Sequence, residues 1–151
     1  MVLLLAGCGV YSFNPRGKST VGSIYVAPFE NETSEYGLTD RLTEITIDAF
    51  IADGSIKVLP ETDAEAVLVA VLRRYERAVQ QYDENDQVLS YKIILDLDVT
   101  LQKTSDQSEI WKDRIPAEGV YDAVEETEED GQRRAGEWLV DAVLNKTTKS
   151  W

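Results

Sequence analysis

Hydrophobic and polar positions alternate most regularly between Tyr91 and Gln102. Tyr91, Ile93, Leu95, Leu97, Val99 and Leu101 interleave with Lys92, Ile94, Asp96, Asp98, Thr100 and Gln102. A period of two places these sets on opposite faces of a strand, one buried and one largely wet. Val67 to Val79 reads as a second long strand, with Leu68, Ala70 and Leu72 on one face and Val69, Val71 and Arg73 on the other. Asp83-Glu84-Asn85-Asp86 between them is a turn by composition. Thr104 to Ser108 turns the chain again, and Glu109 to Ala117 returns as another strand. Upstream, Ser23 to Phe29 is β-branched and aromatic and reads as a strand ending near Pro28. Glu30 to Gly37 reads as a polar loop, and Ser55 to Leu59 as a short strand.

The period changes to that of a helix at two places. Leu38, Leu42, Ile45, Ala49 and Ala52 recur on one helical face, and Gly54 follows as a C′ residue. The last helix is expected from Val124 to Lys146, with Ala135, Trp138, Leu139, Ala142 and Val143 buried and its first turns frayed by Gly131. Trp111 is expected in the core as well. The predicted order is β-α-β-β-β-β-α. Short turns after Val67 make the later strands antiparallel neighbours. The expected fold is therefore an α+β two-layer sandwich, with two helices packed on one face of a mixed, mostly antiparallel sheet of four to five strands. No internal repeat is present.

Composition narrows the function classes. The apolar fraction of 43% and the charged fraction of 28% are those of a globular chain. Fifteen Lys and Arg against 28 Asp and Glu leave a net charge of −13, which repels nucleic acid. Much of the acidity lies in Glu125-Glu126-Thr127-Glu128-Glu129-Asp130. There is no histidine, so the usual general base and the commonest metal ligand are missing. No G-x-S-x-G serine motif occurs. Nothing argues for an enzyme, a cofactor or a metal.

Other motifs read blandly. Gly17-Lys18-Ser19-Thr20 ends like a phosphate-binding loop, but Ser12 stands where its first glycine belongs. Asp83–Asp86 lacks the ligand spacing of a calcium loop. Asp96 and Asp98 share a wet strand face, with nothing to separate two carboxyl pKa values. Arg73, Arg74 and Arg77 form a basic cluster beside Tyr75. They either pair with phosphates or carboxylates of an anionic partner or neutralise acidic neighbours on the sheet.

The amino-terminal stretch sets the compartment. Leu5-Ala6-Gly7-Cys8 is an apolar run ending in two small residues and the chain's one cysteine. It resembles a bacterial lipobox. That likeness implies cleavage before Cys8, a diacylglycerol on its thiol and acylation of the new amine. An acylated Cys8 leaves no thiol for a disulfide. Residues 1–7 are then the remnant of a lipoprotein signal that starts upstream, residues 8–22 an acylated tether, and residues 23–151 a single α+β domain.

The ordered set of segments resembles a known family. It runs from the lipobox through Gly9-Val10-Tyr11-Ser12-Phe13 and Ile24-Tyr25-Val26-Ala27-Pro28-Phe29-Glu30-Asn31. It continues through Leu38-Thr39-Asp40-Arg41-Leu42-Thr43-Glu44 and Asp53-Gly54-Ser55-Ile56-Lys57-Val58-Leu59. Ala64-Glu65-Ala66-Val67-Leu68, Arg74-Tyr75-Glu76 and the tyrosine-bearing alternating strand complete it. The set is similar to the LptE family of lipopolysaccharide-assembly lipoproteins. The resemblance implies two helices on a mixed four-stranded sheet, a lipid-anchored place on the periplasmic side of the outer membrane, and a role as plug of the LptD β-barrel translocon. It also implies lipopolysaccharide as a ligand. The charge of −13 departs from that of a binder of lipid A phosphates. Of the site residues only Cys8, the acyl acceptor, carries over. Val26-Ala27-Pro28-Phe29-Glu30-Asn31, the helix after it and Ile56-Lys57-Val58-Leu59 also resemble TolB amino-terminal domains and curli-secretion lipoproteins. That second likeness implies a periplasmic module binding envelope proteins.

Overall fold

The computed structural model describes residues 21–148. Cys8, the lipobox, the Gly17–Thr20 motif and Trp151 lie outside them. Strands β1 (Ser23–Val26) and β2 (Glu30–Asn31) precede helix α1 (Leu38–Asp53). Strand β3 (Lys57–Val58) and the long strands β4 (Ala66–Tyr82), β5 (Val88–Lys103) and β6 (Glu109–Asp122) follow, and helix α2 (Glu128–Thr148) closes the domain. The sheet order is β3-β1-β4-β5-β6, with β2 paired beside β4. The first three strands run parallel to their neighbours, and β4, β5 and β6 form an antiparallel meander. This is the expected two-layer α+β architecture. The sheet has six strands rather than four to five. The extra one is Glu30–Asn31, within the stretch read as loop. It carries no apolar pattern and is ordered by pairing with Val71 and Leu72.

The alternation in β5 has the predicted consequence. Ile93, Leu95, Leu97, Val99 and Leu101 are fully buried under the helices, and Leu68, Ala70 and Leu72 lie beside them on β4. Among the described residues no helix covers the opposite sheet face.

The helical faces are rotated from expectation. On α1 the buried side is Leu38, Leu42, Thr46 and Phe50, whereas Ile45 and Ala49 are half-buried and Ala52 is exposed. Threonine can occupy the core because its hydroxyl is satisfied locally: Thr46 Oγ1 donates to the Leu42 carbonyl at 2.7 Å. Gly54 ends the helix as expected, in the left-handed region at φ 67°, its N–H donating to Phe50 O. On α2, Trp138 is 49% exposed, so its assignment to the core was wrong, while Ala135, Leu139 and Val143 are buried. Trp111 is partly buried and packs against the core.

Helix α2 starts at Glu128, not Val124. Thr127 and Asp130 explain the difference. The Asp130 carboxylate accepts both the Thr127 N–H and its hydroxyl, each at 2.9 Å, and the Asp130 N–H donates to the Thr127 carbonyl at 3.0 Å, which defines the first turn. Three acidic residues in that turn suit the positive end of the helix dipole.

The expected fraying at Gly131 does not occur. Gly131 is where α2 touches the sheet. A Cβ there would lie 2.5 Å from Tyr121 Cδ1 and 2.9 Å from Ile93 Cγ1. Facing it, a Cβ on Gly119 of β6 would lie 2.6 Å from the Ala135 amide nitrogen and closer still to the Gly131 carbonyl oxygen. One turn on, a Cβ at Gly136 would come within 3.1 Å of Leu42 and Ile45 of α1. Glycine at these points lets α2 lie against β6 and α1.

Leu97→Ala is expected to lower the unfolding free energy by about 2–5 kcal/mol. Asp98→Ala, on the open face, should lower it by less than about 1 kcal/mol. Gly119→Ala meets backbone on α2 and should destabilise by about 1–3 kcal/mol or more. Urea unfolding of the three variants checks this order, and equal losses at Leu97 and Asp98 would contradict the facing of β5.

Candidate functional site

The sequence gathered Arg73, Arg74 and Arg77 into one cluster, and the structure separates them. A bulge between Leu72 and Arg74 adds Arg73 to β4 as an extra residue. Before the bulge Leu72 pairs with Leu97, and after it Arg74 pairs with Asp96 and Arg77 with Ile93. Arg74 thus shares the open face with Asp96, and Arg77 shares the helix-side face with Ile93.

On the open face the arginines are matched to carboxylates. Arg73 Nε donates to Asp98 at 2.7 Å, and its Nη1 donates to Glu32. Arg74 donates to Glu76 and stands 3.8 Å from Asp96, which Arg114 also approaches at 3.6 Å. Lys92 reaches Glu118 at 3.3 Å. Asp96 and Asp98 are therefore paired with arginines. These pairs are surface pairs, each of small energetic weight.

On the helix side, Arg77 enters an aromatic and polar hub. Its guanidinium carbon lies 3.8 Å from the centre of the Tyr91 ring, and Tyr91 stacks on Tyr121 at 5.5 Å. Arg77 Nε donates to the Tyr121 hydroxyl at 2.6 Å and lies 3.7 Å from Glu128. Tyr75 donates to the same Glu128, at the first residue of α2. Gln132, buried, donates to Tyr75 Oη at 3.1 Å and accepts from Arg41 Nη2 at 2.6 Å. Burial, then the Glu128 carboxylate, push the Tyr75 hydroxyl well above the ordinary phenol range, so it stays a donor. The hub joins β4, β5, β6 and both helix amino termini. Sequence reasoning missed Gln132, Tyr121 and Glu128. Gln132 alone carried a signal, a polar residue on the apolar side of an amphipathic helix.

Beside the hub, a cleft of about 320 Å³ opens between the helices, lined by Leu38, Arg41, Leu42 and Ile45 from α1 and by Gln132 and Arg133 from α2, among others. Arg41 crosses to Glu129 at 3.1 Å there. Among the described residues no group of three or more His, Cys, Asp or Glu is placed to hold a metal ion.

The turn leading into α2 is locked by charge. Asp122 accepts the N–H groups of Val124 and Glu125, each at 2.8 Å. Arg134 holds Glu126 through both carboxylate oxygens and also donates to Val120 O at 2.5 Å. Arg134 lowers the Glu126 carboxyl from 4.5 to about 2. At the far hairpin, Asp83 accepts the N–H groups of Asn85 and Gln87 at 2.8 Å, so Asp83–Asp86 is a turn closed on itself.

Among the described residues no helix is long and apolar enough to cross a membrane. The sequence model of the LptE family, described as lipopolysaccharide-assembly, matches residues 21–147. No curated protein matches by sequence. Several solved structures share the fold. The hypothetical protein CT253 from Chlamydia trachomatis has a TM-score of 0.61 at 10% identity, over 85% of this chain and 98% of that one. PelC from Paraburkholderia phytofirmans, a dodecamer, has a TM-score of 0.59 at 14% identity, over 89% of this chain and 94% of that one. The lipoprotein GNA1162 from Neisseria meningitidis has a TM-score of 0.51 at 18% identity, over 85% of this chain and 99% of that one. At these identities the likeness is one of fold.

Two outcomes are expected. Gln132→Ala removes the link between Arg41 and Tyr75, which keep Glu129 and Glu128 as partners, and should cost about 0.5–1.5 kcal/mol in thermal or urea unfolding. Glu126, with its folded pKa below its unfolded one, adds stability above pH 4.5 that is lost as pH falls towards about 2. Carboxyl-carbon NMR should therefore show Glu126 titrating near pH 2, and Arg134→Gln should raise it, with the Asp122 N–H still holding it below the ordinary range.

Proposed function

Since the chain belongs to the LptE family of lipopolysaccharide-assembly proteins, we propose that it acts at the outer membrane as plug and assembly partner of an LptD-type β-barrel translocon. In this reading Cys8 carries the lipid anchor and holds the domain on the periplasmic side. The observation that carries the reading is the extent of the family match, residues 21–147, which takes in both helices and the whole sheet. The protein then works by occupying space and presenting surfaces, without catalysis.

The distribution of charge suits a plug. The lumen of such a barrel is polar, so the surface meeting it must be polar too. The open sheet face meets this demand with alternating ion pairs, Arg73 with Asp98 and Lys92 with Glu118 among them. Arg73 and Arg74 are the cations that an anionic partner would reach, by exchanging their present carboxylates for lipopolysaccharide phosphates or carboxylates of the barrel wall. Arg77, held against Tyr91 and Tyr121, positions the β4–β5 hairpin instead. The turns at Asp83–Asp86 and Thr104–Ser108 project at opposite ends of the sheet and constrain the core least.

Extraction of outer membranes in detergent, followed by recovery of the tagged full chain, should bring down a large β-barrel. Recovery of envelope proteins without a barrel would favour the TolB-like or curli-secretion reading instead. Mass spectrometry should find Cys8 acylated, and Cys8→Ala should release a soluble domain with unchanged circular dichroism. Exchanging Arg73 and Arg74 for glutamine should weaken barrel or lipopolysaccharide binding, more at low salt than at high salt. Unchanged binding at both salts would leave these arginines with charge balance alone.

A further inference from the structure

The structure gathers exposed apolar side chains at one pole of the molecule. Among the described residues, eight large apolar side chains are exposed: Tyr36, Ile51, Val79, Tyr82, Leu89, Val120, Val124 and Trp138. All but Ile51 and Trp138 lie at the end where the β4–β5 hairpin runs past the helices. Pairing of β2 with β4 stops at Leu72, and β6 leaves β5 at Ser90, so the last turn of the hairpin stands alone. Register places Val79 opposite Tyr91, on the helix-side face beyond the first residue of α2. Leu89 follows at a bulge, its carbonyl accepting the Ala123 N–H at 3.0 Å. Val124, 87% exposed, sits in the turn that leads into α2, and Tyr36, 91% exposed, in the loop that leads into α1. Both loops reach this pole because both helices start here, joined through Arg41 to Glu129 and Gln132.

The cations that adjoin this apolar group, Arg77, Lys92 and Arg134, are each paired with a carboxylate, Glu128, Glu118 and Glu126, so the charge in excess around it is acidic. Glu84 and Asp86 flank it from the hairpin turn, and Asp122 and Glu125 from the turn before α2. Asp122 is held charged, its carboxyl lowered by the N–H groups of Glu125 and Val124. An apolar centre with an anionic rim selects its occupant by charge. A bilayer rich in anionic lipid is repelled by the rim, and so is the same pole of a second copy.

We propose that this pole is a docking surface for a polypeptide patch with an apolar centre and a rim of lysine or arginine. Resting on the translocon reading, the patch is part of the barrel partner. The contact is centred on the hairpin tip and the two loops that lead into the helices, with Val120, opposite Lys92, at the edge of the open sheet face, and it explains why valine, leucine and tyrosine are kept in water on a domain that is otherwise strongly acidic.

The test uses the full lipidated chain co-expressed with its cognate barrel, with recovery of the barrel in detergent as the readout. Val79→Ser, Leu89→Ser and Val124→Ser combined should reduce recovery at least about tenfold. Ile51→Ser with Trp138→Ser, away from the pole, should leave it unchanged. Should the triple variant fail to fold by circular dichroism, Glu84→Lys with Glu125→Lys decides, because neither side chain is in the core. That pair should also reduce recovery, and raising salt should weaken the wild type more than this variant. Wild-type recovery by the triple variant, or by the lysine pair in its place, overturns the proposal and leaves the translocon reading standing. No barrel with the wild-type chain overturns both. Pole-dependent binding to phosphatidylglycerol vesicles, or a pole-dependent dimer in sedimentation, without loss of barrel recovery in the variants, overturns it in favour of a membrane or a second copy.

Discussion

Helix α2 lies against β6 at a distance that only hydrogen allows. Gly119 on the strand and Gly131 on the helix meet where side chains would collide with backbone or with the Tyr121 ring. Much of the domain depends on this approach. It seats Ala135, Leu139 and Val143 over the fully buried row of β5. It brings Gln132 within reach of Tyr75, and Arg134 within reach of the Val120 carbonyl. One turn further on, Gly136 admits Leu42 and Ile45 of α1, so the same helix fixes the second helix of the layer. Glycine in a helix costs about 1 kcal/mol relative to alanine, and here close packing on both sides offsets it.

The two faces of the sheet follow different physics. Under the helices, the β5 row from Ile93 to Leu101 is fully buried, and the polar groups of Tyr75, Arg77, Tyr121 and Gln132 are paired in a hub. On the open face, water does most of the work of solvation, and ion pairs organise the charges with little net energy. The bulge at Arg73 is what divides them. By adding one residue it sends Arg74 to the open face and turns Tyr75 and Arg77 towards the helices. A basic run in sequence thereby becomes a paired surface and a structural latch. The latch holds the root of the β4–β5 hairpin against the amino terminus of α2, leaving its tip free to project.

Family membership and geometry bear on function in different ways. The match over residues 21–147 places the chain in the LptE family, described as lipopolysaccharide-assembly. The fold by itself is shared with chains as far away as 10% identity and does not choose among tasks. What distinguishes this chain is where it puts exposed apolar and charged groups, and those positions follow from how far each strand runs beyond its neighbours.

The sequence by itself determined the layers. The period-two row from Tyr91 to Leu101 and the helical recurrences after Leu38 and before Lys146 dictate which segments pair and which face is dry, because burial follows local alternation. Gly54 was legible as a helix end for the same local reason. Tertiary structure decided the rest. Thr46 and Phe50, not Ile45 and Ala52, face the core because the helix rotates to meet the sheet, and a threonine hydroxyl can be satisfied within its own helix. Trp138 is half-exposed although its spacing fits the apolar stripe, because α2 approaches β6 through glycines and leaves that flank outside. Glu30–Asn31 becomes a strand only because β4 offers Val71 and Leu72 as partners. The arginine cluster was visible as composition, but its division between two faces depends on one bulged residue. A bulge reflects the pairing of β4 with β5, which no local pattern of apolar residues encodes.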